Sequence, residues 1–451
     1  MKKKLFLSIV IFLFLSVFLS ACNKNEEETA SSKISGDYTA FLKGDDWGCG
    51  ISQIILTLSE KVNPESISKN TFKIEEEKQA FDWMKPEDGL VNVVNERTIT
   101  EAYISDENGE RVEEPSNYLT IEMDFTPQEG EYLLLSPDSP SSQYPELYNL
   151  LISLNEGEYL TANGENITEI EIEPEIKELS TSADDFKINQ FTSNDNIIYS
   201  YAYYEPEEKS ETLVVWLHGI LEGGEENTDP YITALGSKVP TLIGEEFQDV
   251  IGGANVLVPQ CPTFWMDNTG EGQMVDGRIN TDGTSYYLES LHELIEFYKN
   301  KTGSEKVVIA GCSNGGYMGM LLALEYGEEY DAYMLICESM ENQFISDEKI
   351  ESIKNLPLFF IYSNDDNIVD PTVNEIPTIN RLKQVGASNL EVATFEEVVD
   401  TSGRFTDEDG NPHNFGGHNS WIYFFNNEVS SDENGANSWQ WLADQINNQN
   451  F

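Results

Sequence analysis

The chain has 451 residues, with 81 acidic against 26 basic side chains and a formal charge of −55. Such a charge repels phosphate backbones and anionic headgroups and argues against a nucleic-acid partner. At 39 % hydrophobic and 11 % aromatic the chain can still bury sizeable cores, which excludes wholesale disorder. The acidic balance reads as a solvated surface that keeps an exported protein in solution. No Asp/Asn loop has calcium-site spacing, and no Cys-x-x-Cys or Cys/His cluster suits zinc, so no metal and no cofactor are expected.

Residues 1–22 read as a targeting segment. Lys2, Lys3 and Lys4 precede an almost unbroken apolar run from Leu5 to Leu19, shorter than the roughly 20 residues that span a bilayer. The segment ends in Leu19-Ser20-Ala21-Cys22, which resembles the lipobox of bacterial lipoproteins. That resemblance implies a diacylated Cys22 as the mature N-terminus, anchored on the extracellular side of a bacterial cell membrane. Residues 23–36 are polar and read as a flexible tether. The other cysteines, Cys49, Cys261, Cys312 and Cys337, are too widely spaced for a disulfide scaffold and read as small buried hydrophobes.

Residues 37–182 carry strand-like runs between turn signals. Ile51 to Leu58, Tyr118 to Phe125 and Gly130 to Leu135 are the runs; Asn63-Pro64, Glu107-Asn108-Gly109 and Asn163-Gly164 are the turns. Short strands at this spacing predict an all-β sandwich. Nothing in the region clusters chemistry, so it reads as a spacer or as a wall beside another domain's site.

Residues 183–451 change pattern. The runs Leu213–Leu217, Asn255–Val258, Val307–Ala310, Ala332–Ile336 and Leu358–Tyr362 suit strands buried on both faces of a parallel sheet. Leu288, Leu291, Ile295 and Tyr298 recur at helical spacing, and a second apolar helix opens near Tyr317. The predicted fold is therefore an α/β sheet with flanking helices, binding its ligand off the carboxyl ends of the strands.

Gly311-Cys312-Ser313-Asn314-Gly315-Gly316 follows the β-branched run and precedes the apolar helix. This is the strand–turn–helix setting in which a serine nucleophile is presented on a tight turn, and it favours Ser313 over Cys312. A hydroxyl needs a base, and in such sheets the order is serine, acid, histidine. That order leaves His413 and His418, of which His418, on the glycine-rich loop Gly416-Gly417-His418, suits the task better. The acid is sought in Asp365-Asp366-Asn367-Ile368-Val369-Asp370. Asp366 fits best through the apolar anchor Val369, Asp365 is the close rival, and Asp370 reads as the cap of a helix starting at Pro371. Asn314 and Ile220 are the candidate oxyanion N–H donors, and His218 reads as a loop brace.

These residues resemble the exported α/β-hydrolases of the prolyl-oligopeptidase and esterase group whose members carry an N-terminal immunoglobulin-like domain. The similarity runs through Asp46-Trp47-Gly48, Trp216-Leu217-His218-Gly219, Pro259 to Met266, Gly311 to Met318 and His418 to Tyr423. It implies Ser313, Asp366 and His418 as a triad. It departs at Cys49, where relatives usually carry proline, and at the doubled aspartate of the acid loop. The expected function is a lipid-anchored extracellular serine hydrolase acting on a small-molecule ester. The alternatives are a peptidase acting on a short peptide and a surface-binding lipoprotein without catalysis. Phe264 and Trp265 read either as lining of an acyl pocket or as core.

Overall fold

The computed structural model describes residues 33–447, apart from 82–84, 128, 137–138, 225–228, 274–278, 280 and 408. The targeting segment and Cys22 thus lie outside the described residues. The N-terminal region is a sandwich of two sheets. In one, the strands run in the order Glu169–Ile172, Lys33–Asp45, Gly48–Val62, Ser116–Met123 and Ile99–Ser105, with Glu178–Thr181 also beside Lys33–Asp45. The other is Leu90–Glu96, Phe72–Phe81 and Tyr148–Leu154. Alternation drives the packing: Tyr38, Ala40 and Leu42 face inward from one strand, Ile54, Leu56 and Leu58 from the next, and Ile74 and Leu150 from the opposite sheet.

Two readings of this region need correction. The strand at Lys33 begins inside the segment read as tether, because Lys33 to Gly36 pair with Glu169 to Ile172 and Ile34 is fully buried. The stretch Gly130–Leu135 is not one strand but a single bridge at Glu131 and the short strand Leu134–Ser136. Gly130 breaks it with a φ of 89°, and a Cβ there would lie 2.5 Å from Arg97 Nη2.

The C-terminal region is an eight-stranded sheet. Across it run Lys187–Thr192, Ile198–Tyr204, Asn255–Gln260, Thr212–Leu217, Lys306–Cys312, Ala332–Ile336, Leu358–Ser363 and Leu390–Phe395. Ile198–Tyr204 runs antiparallel to both its neighbours, and the other pairings of the sheet are parallel. The crossing of Thr212–Leu217 and Asn255–Gln260 and the covering helices make this an α/β-hydrolase fold. Leu291, Leu294, Ile295 and Tyr298 of the helix Leu288–Thr302 cover one face, and Trp439, Trp441 and Leu442 of the helix Ser438–Asn447 join the other core. Asp370 does not cap the helix as expected. It accepts from Thr372 N at 2.9 Å and holds a turn, and the helix itself runs Glu375–Gln384.

Candidate active site

Ser313 stands between the central strand Lys306–Cys312 and the helix Asn314–Tyr326, at φ 54° and ψ −117°. A non-glycine residue held there stores on the order of 1–3 kcal/mol of strain, which the surroundings must over-determine. They do so through Ser313 N–H to Ile336 O at 2.9 Å and Ser339 Oγ to Ser313 O at 3.0 Å. Gly315 lets the helix start press against the neighbouring strand: a Cβ there would sit 1.9 Å from Leu217 O. Cys312 is buried and its thiol is pushed well above the usual range by that burial, so it offers no thiolate.

His418 lies on the short turn Gly417–Asn419. Its Nε2 accepts from Ser313 Oγ at 2.9 Å, and its Nδ1–H donates to Asp366 Oδ2 at 2.8 Å. A carboxylate at Nδ1 fixes the tautomer that leaves Nε2 free to take a proton. The loop reaches this position because Gly417 has no side chain: a Cβ would lie 2.1 Å from Asp365 Oδ1 and 2.6 Å from Asp366 N. Asp366 is buried, and its Oδ1 accepts from the N–H groups of Ile368 and Val369, both at 2.9 Å. Asp365 is exposed and accepts instead from Ser363 Oγ at 2.6 Å.

Of the oxyanion candidates, Asn314 is the first residue of its helix and Ile220 the first of the 3-10 turn Ile220–Glu222, positions whose N–H groups have no intrahelical acceptor. The loop carrying Ile220 is braced twice. His218 Nε2 accepts from Cys261 N–H at 3.0 Å while its Nδ1–H donates to Gly219 O at 2.5 Å, and burial lowers this imidazole to about 4. Glu222 Oε2 accepts from Gly219 N–H at 3.0 Å, and burial pushes its carboxyl up to about 7.

The structure thus brings Ser313, His418 and Asp366 into one chain of hydrogen bonds, with the turn bearing Ile220 and the helix start at Asn314 as their framework. His413 is elsewhere, its ring against Phe415. His292 stacks on Tyr326. Trp265 is fully buried against Tyr199 and His218, and Phe264 is buried too, so both are core rather than pocket wall. Three contributors escaped the sequence: Glu222, Ser339, and the Asn314 side chain, whose Oδ1 takes Trp265 N–H at 2.6 Å. Only Glu222 left a signal, an acid three residues past the loop glycine. Among the described residues no group of three or more His, Cys, Asp or Glu could hold a metal ion.

Residues 37–168 match the family described as the esterase Ig-like N-terminal domain. The chain therefore couples an immunoglobulin-like domain of that kind to an α/β-hydrolase fold. Among solved structures, a thermostable esterase aligns with 87 % of this chain and 96 % of its own at 19 % identity, with a TM-score of 0.64. An esterase of Pyrococcus furiosus aligns with 48 % of this chain and 84 % of its own at 16 % identity, with a TM-score of 0.33. No curated protein matches the chain.

Proposed function

We propose that this protein is a serine hydrolase that cleaves small-molecule carboxylic esters. The observation that carries the reading is His418 hydrogen-bonded at once to Ser313 Oγ and Asp366 Oδ2. Ser313 Oγ attacks the ester carbonyl as His418 Nε2 takes its proton, and Asp366 holds the imidazolium that forms. The backbone N–H groups of Ile220 and Asn314 stabilise the oxyanion. Collapse expels the alcohol, which receives the proton from His418 and leaves an acyl-Ser313. Water, deprotonated by the same imidazole, then releases the acid. The proposal extends to a cleaved targeting segment and a lipid anchor at Cys22, supported by the sequence up to that residue. It places the protein on the extracellular side of a bacterial membrane.

The test treats the full-length chain with a fluorophosphonate probe beside Ser313→Ala and His418→Ala. Labelling of the parent alone supports an activated serine and its base. A folded parent that stays unlabelled sinks the reading in favour of a surface-binding lipoprotein. p-Nitrophenyl esters set against peptide amides then decide between esterase and peptidase. A Cys22→Ser variant that stays in the membrane fraction would refute the anchor.

A further inference from the structure

The turn between the strands Lys33–Asp45 and Gly48–Val62 leaves the sandwich and enters the α/β domain. Trp47 at its tip lies parallel to Phe415, with ring centroids 5.9 Å apart and planes 8° apart. It meets Phe405 edge-on at 4.7 Å and Phe125 of its own domain at 5.2 Å. Phe415 stands three residues before His418, and its carbonyl accepts from Asn419 Nδ2, one residue after His418. The aromatic contact therefore reaches the backbone of the histidine turn through one residue.

The same turn also holds the other flank. Asp46 Oδ2 accepts from Asn426 Nδ2 at 3.1 Å, directly after the helix Trp421–Phe425 that follows the histidine turn. Lys238 lies 3.4 Å from Asp46 Oδ1 and also donates to Asn426 Oδ1. Lys238 and Ser237 reach this place with φ of 59° and 46°, a left-handed pair that side chains rarely adopt. Beside the turn a cleft of about 350 Å³ is lined by Phe41, Lys43, Gln53, Asp124 and Arg404. The β domain also packs on the segment Gly236–Ile243, which itself meets the helix Trp421–Phe425, and on the turn Ile220–Glu222, while Gly416 and Gly417 leave the histidine turn little stiffness of its own.

We infer that Trp47 and Asp46 of the β domain are positioning residues for His418, holding its turn so that the imidazole stays between Ser313 and Asp366. The inference rests on the catalytic reading above. A β domain that merely shielded or tethered would lend stability without tuning the histidine. A clasp on both flanks affects the rate, because a base displaced by a fraction of an ångström loses its line to the hydroxyl.

The test compares the detergent-solubilised full-length parent with Trp47→Ala, Trp47→Phe and Asp46→Asn. For a p-nitrophenyl ester, Trp47→Ala is expected to lower kcat roughly tenfold with KM held within about twofold, and Trp47→Phe to restore most of it. Asp46→Asn, which keeps the shape and removes the charge, is expected to lower kcat roughly threefold. The second readout is the downfield proton resonance of His418 Nδ1–H, which should broaden in Trp47→Ala and sharpen again in Trp47→Phe. A folded Trp47→Ala with parental kcat and a sharp resonance overturns the inference. So does a rise in KM at constant kcat, which would make Trp47 a substrate wall. If Trp47→Ala does not fold, an Asp46→Asn variant with parental kcat and an unchanged resonance overturns it equally. The resonance is read without turnover. A parent lacking esterase activity therefore defeats the catalytic reading while the positioning of His418 is still measured.

Discussion

The two domains bury charge in opposite ways. In the β domain, Arg97 is fully enclosed and balanced: Nη1 donates to Glu76 Oε2 at 3.1 Å, Nη2 to the carbonyls of Ile51 and Asp124 at 2.8 Å each, and Nε to Glu129 Oε1 at 3.3 Å. Tyr148 adds its hydroxyl to Glu76 at 2.6 Å, so the network spans both sheets. In the α/β domain Glu338 and Glu375 are buried, and among the described residues no cation forms an ion pair with either. Burial pushes Glu338 up to about 8, and burial together with repulsion from Glu338 raises Glu375 well above the usual carboxylate range. In the first arrangement opposite charges meet, with Lys78 Nζ 2.9 Å from Glu76 Oε1 as a second cation; in the second, burial favours the protonated acids. Glu338 backs onto Gly316 of the nucleophile helix, where a Cβ would lie 2.8 Å from Glu338 Cα, and Glu375 feels the charge of Asp366. Balanced burial holds a fold together, while burial that favours the protonated acid lets carboxyls stand behind a site without adding charge to it.

The sharpest break of this contrast is at Asp366. Asp366→Asn is expected to cut ester turnover by roughly 10⁴, because an amide at that place favours the tautomer that turns the wrong nitrogen state toward Ser313. Asp365→Asn should stay within about threefold of the parent, its carboxylate being exposed and bound to Ser363. Saturation kinetics on both variants checks the pair. Equal losses would mean that the two aspartates share the role and that burial does not select between them.

The β domain should respond in stability instead. Arg97→Met removes one of the two cations on Glu76, leaving Lys78 Nζ at 2.9 Å and the Tyr148 hydroxyl at 2.6 Å, and takes the donor from the Ile51 and Asp124 carbonyls; the expected loss is about 1–3 kcal/mol in chemical denaturation. The kcat of the protein that remains folded should be parental, since Arg97 touches neither Trp47 nor Asp46. A loss of kcat without a loss of stability would erase the division between the two domains.

Much of this was legible from residues alone. The five buried strands of the parallel sheet announce themselves as apolar runs, and the elbow by glycines flanking a serine between a strand and a helix. The acid loop was harder, because two adjacent aspartates differ only in how the backbone turns. Asp366 is selected by the N–H groups of Ile368 and Val369, a choice that geometry makes and composition does not. The break at Gly130 was hidden for a similar reason. Arg97, in the turn between the strands Leu90–Glu96 and Ile99–Ser105, stands where a Cβ at Gly130 would lie. Least legible was the clasp on His418, because Asp46 lies 380 positions from Asn426 and the two meet only once two domains dock.

The last predicted effect bears most directly on how the α/β domain keeps its acids neutral. A carboxyl whose folded value is raised lends stability that is complete below its ordinary value and is lost as pH rises toward the folded value. For Glu338 that window runs from its ordinary 4.5 to about 8. Glu338→Gln cannot ionise, yet its amide oxygen can still accept Met340 N–H, which Glu338 Oε2 takes at 2.7 Å. The variant should therefore match the parent in melting temperature near the acid end of the window. It should pull ahead progressively as pH rises through the window. Melting curves across the window read this directly. A variant that falls behind at alkaline pH would mean that Glu338 is ionised and usefully paired when folded. The α/β domain would then balance its buried charge just as the β domain does.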